Sequence, residues 1–239
     1  MTGLAEGYTK EYMASLKAYP KKYATLEADI AEYKYLLRKG LPSQLMQKLD
    51  DAIEHLQSAG YFKQRLMTGN QAPNFRLNSC EGKTIDLSTA LQESPVVLSF
   101  FRGRWCGYDT RELQYLQKFH TQIKEQGARL IAISPALPEN LQLAQQEYNL
   151  SFDLLNDQGN QVADQFGIAY PTPDIVLSAY EAGGIYIDKE NGDNSFRIPL
   201  PCTFIINQQS EIIFDFYHPD YTVRLEPADI VKFLQNNQK

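Results

Sequence analysis

Apolar side chains recur near the start of the chain at helical spacing. From Tyr12 to Leu37 a seam runs Tyr12, Leu16, Tyr19, Tyr23, Leu26, Ile30, Tyr33 and Leu37, in alternating steps of four and three residues. That is the stripe of a helix with one buried face. Pro20 lies inside the seam and removes a backbone donor, so the spacing predicts a bent or broken helix near Tyr19. A second helix is predicted from Ser43, after Leu41-Pro42, with Leu45, Leu49, Ile53 and Leu56 on one face and Gly60 ending it. The two read as a helical hairpin. Tyrosine is bulky for a tight coiled-coil seam, which favours packing on the chain's own body over the alternative, a dimerisation arm in a homodimer.

Past Ala72-Pro73 the period changes. Pro95 to Phe101 is a short apolar run with a β-branched pair, the pattern of a strand buried on both faces. A loop, Arg102 to Trp105, leads to Cys106, and from Gly107 onward Leu113, Leu116, Phe119 and Ile123 mark one helical face that Gly127 closes. Ala128 to Ile133 repeats the strand and residues 138–148 the helix, which predicts a βαβ unit with a parallel pair and a right-handed crossover. Thr203-Phe204-Ile205-Ile206 and Glu211 to Phe216 flank the turn Asn207-Gln208-Gln209-Ser210, a hairpin signature, and a last helix starts near Pro227. Residues 170–200, rich in Gly, Pro, Asn and Asp around one helical stretch, read as an insertion before that hairpin. This order predicts an α/β, thioredoxin-like fold, a central mixed sheet flanked by helices over residues 71–239, behind a helical extension over residues 1–70.

Composition narrows the function. The 239 residues, 43% of them hydrophobic, suffice for a sizeable core. A net charge of -6 offers no field for phosphates, so no nucleic-acid partner is expected. No apolar run approaches the ~20 residues of a membrane-spanning helix, and the first residues carry neither a basic nor an apolar leader segment; a soluble, cytoplasmic protein away from membranes is expected. Cys80, Cys106 and Cys202 are odd in number and widely spaced, which suggests a reducing compartment. His55, His120 and His218 lack metal-site spacing and no glycine-rich phosphate loop is present, so neither metal nor cofactor is expected.

Candidate chemistry centres on Cys106. At a strand end and a helix start its sulfur meets unpaired backbone N–H groups and the positive end of the helix dipole. With Arg104, and Arg102 beyond it, adding positive charge, the expectation is a reactive thiolate with a pKa below the free value of about 8.5. The alternative is a buried, inert thiol.

Ala72-Pro73-Asn74-Phe75-Arg76-Leu77, the stretch Phe100 to Tyr108, the run Leu130 to Pro135 and Pro219-Asp220-Tyr221-Thr222 resemble the peroxiredoxin-like branch of the alkyl hydroperoxide reductase/thiol-specific antioxidant (AhpC/TSA) family, over residues 70–236. The resemblance implies a thiol-dependent oxidoreductase that reduces hydroperoxides or disulfides, with thioredoxin or another thiol as reductant. The chain also departs from the family. Laid on it, the peroxiredoxin motif P-x-x-x-T-x-x-C falls on Arg102, Cys106 and Asp109, and the peroxide-supporting arginine falls on Pro201. The loop Trp105-Cys106-Gly107-Tyr108-Asp109 is half of the family's Trp-Cys-Pro-x-Cys. Asp109 therefore leaves three readings: a one-cysteine oxidoreductase, a protein without catalysis, or an introduced replacement of a cysteine.

In the first reading Cys106 is the nucleophile and Asp109 either a base or a carboxylate that complements the helix dipole. Arg102, Arg104, Trp105, Leu200 and Pro201 then form the pocket, with Pro201 expected cis against the 105–109 loop and the Leu200 backbone free to pair with an extended substrate. Cys202 is a candidate resolving thiol or a core residue, and Cys80, in a turn, has no assigned role. His218 to Arg224 either lines the pocket mouth or closes on its own hydrogen bonds. The reading from another class is a redox-silent thioredoxin-fold module that binds a partner with the same surface.

Overall fold

The computed structural model describes Tyr12, Ser15, Leu16 and residues 23–237. Tyr19 and Pro20, and with them the predicted bend, lie outside the described residues. The later half of the tyrosine seam is helix α1 (Leu26–Gly40), begun by the Thr25 hydroxyl accepting from the Ala28 N–H. Glu27 and Asp29 in its first turn and Arg38 and Lys39 in its last complement the dipole. Helix α2 (Ser43–Ser58) follows directly.

Next come β1 (Arg76–Ser79), β2 (Thr84–Asp86), α3 (Leu87–Glu93), β3 (Val96–Phe100), α4 (Gly107–Glu125), β4 (Arg129–Ser134), α5 (Pro138–Glu147), β5 (Asp153–Asn156) and α6 (Gln161–Gln165). The segment read as an insertion holds two helices rather than one, α7 (Asp174–Ala182) and α8 (Ile187–Asn191), clasped by an antiparallel ribbon of β6 (Ala169–Pro171) and β7 (Arg197–Pro199). The chain closes with β8 (Cys202–Ile206), β9 (Ile212–Tyr217) and α9 (Pro227–Asn236).

The sheet runs β2-β1-β5-β4-β3-β8-β9. Strands β3, β4 and β5 are parallel, while β8 runs antiparallel to β3 and β9 antiparallel to β8. Every residue of β3 is buried, because helices cover both faces. On one side Val97 belongs to one apolar cluster with Leu113, Leu116 and Ile123 of α4 and Ile230 and Leu234 of α9. Val96, Leu98 and Phe100 join Leu56 of α2, Phe166 at the end of α6, and Tyr180 of α7 on the other. The helical extension thus packs on the chain's own body: Ala52 and Leu56 of α2 join the core against the sheet, and Leu26 and Ile30 of α1 lie against Tyr115 of α4. Strands β1, β2 and β5, of three or four residues each, are too short for a period-2 pattern to stand out.

Among the described residues no peptide bond is cis, so Pro201 is trans, against expectation. The chain does not reverse at that proline: the Leu200 N–H donates to the Ile168 carbonyl at 2.8 Å, and Cys202 already sits opposite Phe100 in the sheet. An extended path on both sides suits the ordinary trans bond. Among the described residues no helix is long and apolar enough to cross a membrane, and no group of His, Cys, Asp and Glu is arranged to hold a metal ion.

Candidate active site

Leaving β3, the chain passes through a short loop and starts α4 at Cys106. Cys106 is the N-cap, with extended backbone, and its Sγ accepts from the Asp109 N–H at 3.5 Å, as a serine hydroxyl does at that place. Arg102, only 2% exposed, brings Nη2 to 2.7 Å from Sγ. Three aromatic side chains hold that guanidinium. Its Nη1 donates to the Tyr180 hydroxyl at 3.0 Å, and its Cζ lies 3.9 Å from the Tyr221 ring centre and 5.1 Å from that of Trp105. Gly103, at φ +149°, is required here, because a Cβ would stand 2.6 Å from Trp105 Nε1.

Asp109 is fully buried. Its Oδ2 accepts from the N–H groups of Arg102 (2.8 Å) and Gly103 (3.2 Å), and its Oδ1 from Arg224 Nη2 at 2.6 Å. Arg224, in the segment after β9, also pairs with Glu112 and donates from Nε to the Tyr221 carbonyl. With both oxygens engaged, Asp109 ties the loop to the helix and complements the dipole; a base would need a free oxygen facing the sulfur.

The structure corrects the expected charges. Arg104 turns away from the thiol to pair with Glu147 at 3.1 Å, and the cations that act on Cys106 are Arg102 and Arg224. The thiol itself, 4% exposed, is pushed up from its ordinary pKa, not down: burial dominates, Arg102 and Arg224 oppose it, and the Asp109 carboxylate adds to the rise. Counting the helix N-terminus and nearby arginines in the sequence leaves out what covers the sulfur.

The second half of the expected pocket lies elsewhere. Leu200 and Pro201 are buried and do not line the cavity at Cys106, and the Leu200 N–H is not free for a substrate strand. Cys202 fills the core beside β3, and burial pushes its thiol up. All three cysteines are free, and Cys80, half-buried, donates to Gln145 Oε1 at 3.1 Å.

Over the sulfur is a cavity of about 60 Å³, lined by Tyr33, Leu37, Leu49, Tyr108, Tyr180 and Tyr221 among others. Sequence reasoning placed Tyr33 on a buried seam but not at the thiol, and passed over Tyr180 inside the insertion. The stretch from His218 to Arg224 answers to both of its readings: Tyr221 lines the cavity, while the Asp220 carboxylate accepts from the Thr222 N–H and hydroxyl.

A model of the AhpC/TSA family matches residues 68–214. The chain belongs to the AhpC/TSA family. Thiol-disulfide oxidoreductase ResA of Halalkalibacterium halodurans is 32% identical to this AhpC/TSA chain over 146 residues, 61% of the chain and 65% of that protein. The match therefore spans just under two thirds of that relative. Chloroplastic peroxiredoxin Q of Triticum aestivum is 31% identical over 111 residues, 46% of this chain and 51% of its own length. In three dimensions, peroxidoxin BcpB from Mycobacterium tuberculosis superposes with a TM-score of 0.57 at 19% identity, covering 73% of this chain and 100% of that one. The AhpC/TSA chain has the thioredoxin-like fold, a mixed sheet between helices.

Proposed function

We propose that this protein is a one-cysteine oxidoreductase that reduces hydroperoxides through Cys106 at the expense of an external thiol. The observation that carries the reading is the Arg102 guanidinium, 2.7 Å from a sulfur at the start of a helix, beneath a small cavity. In the proposed step the Cys106 thiolate attacks the terminal oxygen of ROOH. The O–O bond breaks, the leaving alkoxide takes a proton to become ROH, and Cys106 becomes a sulfenic acid. A thiol R′SH then displaces water from that sulfur to form a mixed disulfide, and a second R′SH releases R′SSR′ and restores Cys106. The residues assist in distinct ways. Arg102 stabilises the thiolate and the charge that develops on oxygen, the Asp109 N–H faces the sulfur from the helix end, and Tyr180 with Tyr221 holds Arg102 in line.

The competing reading, a redox-silent binding module, would use the surface at the 105–109 loop. The extension covers that surface, which supports the enzymatic reading. One equivalent of hydrogen peroxide should add one oxygen to the Cys106 peptide, and dithiothreitol should remove it; Cys106→Ser should abolish peroxide consumption. A folded protein whose Cys106 gains no oxygen under these conditions would favour the binding module.

A further inference from the structure

Gly107 opens α4 directly after Cys106, and the space its missing side chain leaves is occupied from above. A Cβ at Gly107 would stand 2.1 Å from the Tyr33 hydroxyl oxygen. Tyr33 of α1 therefore rests on the first turn of α4, beside the sulfur, in space that any larger residue would fill. Its ring packs edge-on against Tyr108, with centroids 5.0 Å apart. Leu37 of α1, Leu45 and Leu49 of α2 and Tyr180 of α7 complete the roof.

This roof is fastened down. Arg111 of α4 pairs with Asp29 of α1 at 3.1 Å, both nearly inaccessible. The same guanidinium lies 3.9 Å from the Tyr33 ring centre and donates to the Gly107 carbonyl. Glu226 caps the start of α1 by accepting from the Leu26 and Glu27 N–H groups. Lys48 of α2 reaches Ser178 of α7 at 3.1 Å, so the extension and the insertion meet over the thiol.

Size follows from this closure. The cavity at the sulfur, about 60 Å³, holds a few non-hydrogen atoms, the scale of a peroxide or the end of a thiol. It shares Leu37, Leu49, Tyr108 and Tyr221 with an outer groove of about 380 Å³ between α1, α2 and residues 220–222. That volume suits a small organic molecule. Five charged side chains stand in its wall; Arg38 and Asp50 pair with each other, and Lys34, Glu54 and Asp220 present charges of both signs to the carboxylate and ammonium of a zwitterionic thiol. A folded protein would have to lay a strand where Tyr33 and α2 already lie.

We infer that Tyr33 is a specificity-determining residue, and that the roof it anchors restricts Cys106 to small hydroperoxides and low-molecular-weight zwitterionic thiols while shutting out protein thiols and protein disulfides. This rests on the reading of Cys106 as redox-active. The two are tested separately. Sulfenic acid formation with one equivalent of hydrogen peroxide and no reductant addresses the activity alone; a chain that gains no oxygen fails there, before any question of selectivity. On the oxidised protein, reduced glutathione and reduced thioredoxin are then compared as reductants by the rate at which the Cys106 thiol returns. Glutathione should be faster by more than about tenfold. Tyr33→Ala should shift the ratio toward thioredoxin by a similar factor. Gly107→Ala, which pushes Tyr33 outward from below, should shift it the same way and serves if the first variant does not fold. Lys34→Glu should slow glutathione without slowing thioredoxin. Equal rates for the two reductants in the parent protein, or a ratio unmoved in folded Tyr33→Ala or Gly107→Ala, would overturn the inference.

Discussion

At the scale of single residues, the chemistry of Cys106 is a contest between burial and the Arg102 guanidinium. Burial wins, so the thiol titrates above its ordinary value. The sign has two consequences. Only the thiolate reacts, so alkylation of native Cys106 by iodoacetamide should climb with pH through a midpoint above about 8.5, and a midpoint below that would contradict the burial argument. A folded-state pKa raised above the unfolded one also contributes stability that is complete below the unfolded value and is lost as pH rises through the folded one. Arg102→Gln removes the cation in contact with the sulfur. The alkylation midpoint should move further up, and peroxide reduction should fall by roughly two orders of magnitude, the usual effect of deleting one preorganised charge. Asp109 works through structure instead. Replacing it by Asn or Cys takes the carboxylate from Arg224 Nη2 while Glu112 still pairs with Nη1, and should lower unfolding stability by about 1–3 kcal/mol, read in a denaturant titration. Restoring the Cys-x-x-Cys spacing with Asp109→Cys therefore does not by itself rebuild a working pair; the gain that the family motif would suggest is opposed by the loss of the carboxylate that ties Arg224 and the Arg102–Gly103 backbone together.

At the scale of elements, helix α1 joins the fold through few but deeply placed contacts. The Asp29–Arg111 pair is inaccessible to solvent, and Arg111 also holds Tyr33 and the Gly107 carbonyl. Breaking one partner of such a pair is far more damaging than the net worth of the pair, because the remaining charge stays buried. Asp29→Asn should accordingly destabilise the chain by about 3 kcal/mol or more. If the roof loosens before the sheet does, hydrogen exchange should show lost protection in α1 first, and iodoacetamide should reach Cys106 faster at fixed pH. Global loss of protection with no early opening at α1 would show the extension to be one cooperative unit with the sheet.

Across the whole molecule, the two faces of the sheet have different tasks. Helices α4, α5 and α9 cover one face with aliphatic side chains. The other face receives α2 and the insertion, α1 packs on α4, and where these meet the tyrosines collect around Arg102 and Cys106. Much of this was legible beforehand. The buried run of β3, the amphipathic face of α4, the β8–β9 hairpin and the seam of α1 follow from side-chain period, because a residue's burial in a strand or helix is set by neighbours two to four positions away. So did the place of Cys106 at a strand-to-helix junction and the likeness to the AhpC/TSA family, which are local in the chain. What surrounds the sulfur was not legible. Tyr180 reaches Arg102 from 78 residues away, Arg224 reaches Asp109 from 115, and Asp29 reaches Arg111 from 82. The direction of the thiol's pKa, the turning of Arg104 toward Glu147 and the trans bond at Pro201 all depend on such distant partners. Period and spacing record which face of an element is apolar, but the dielectric and the charges at one buried atom are set by whichever segments the fold brings against it.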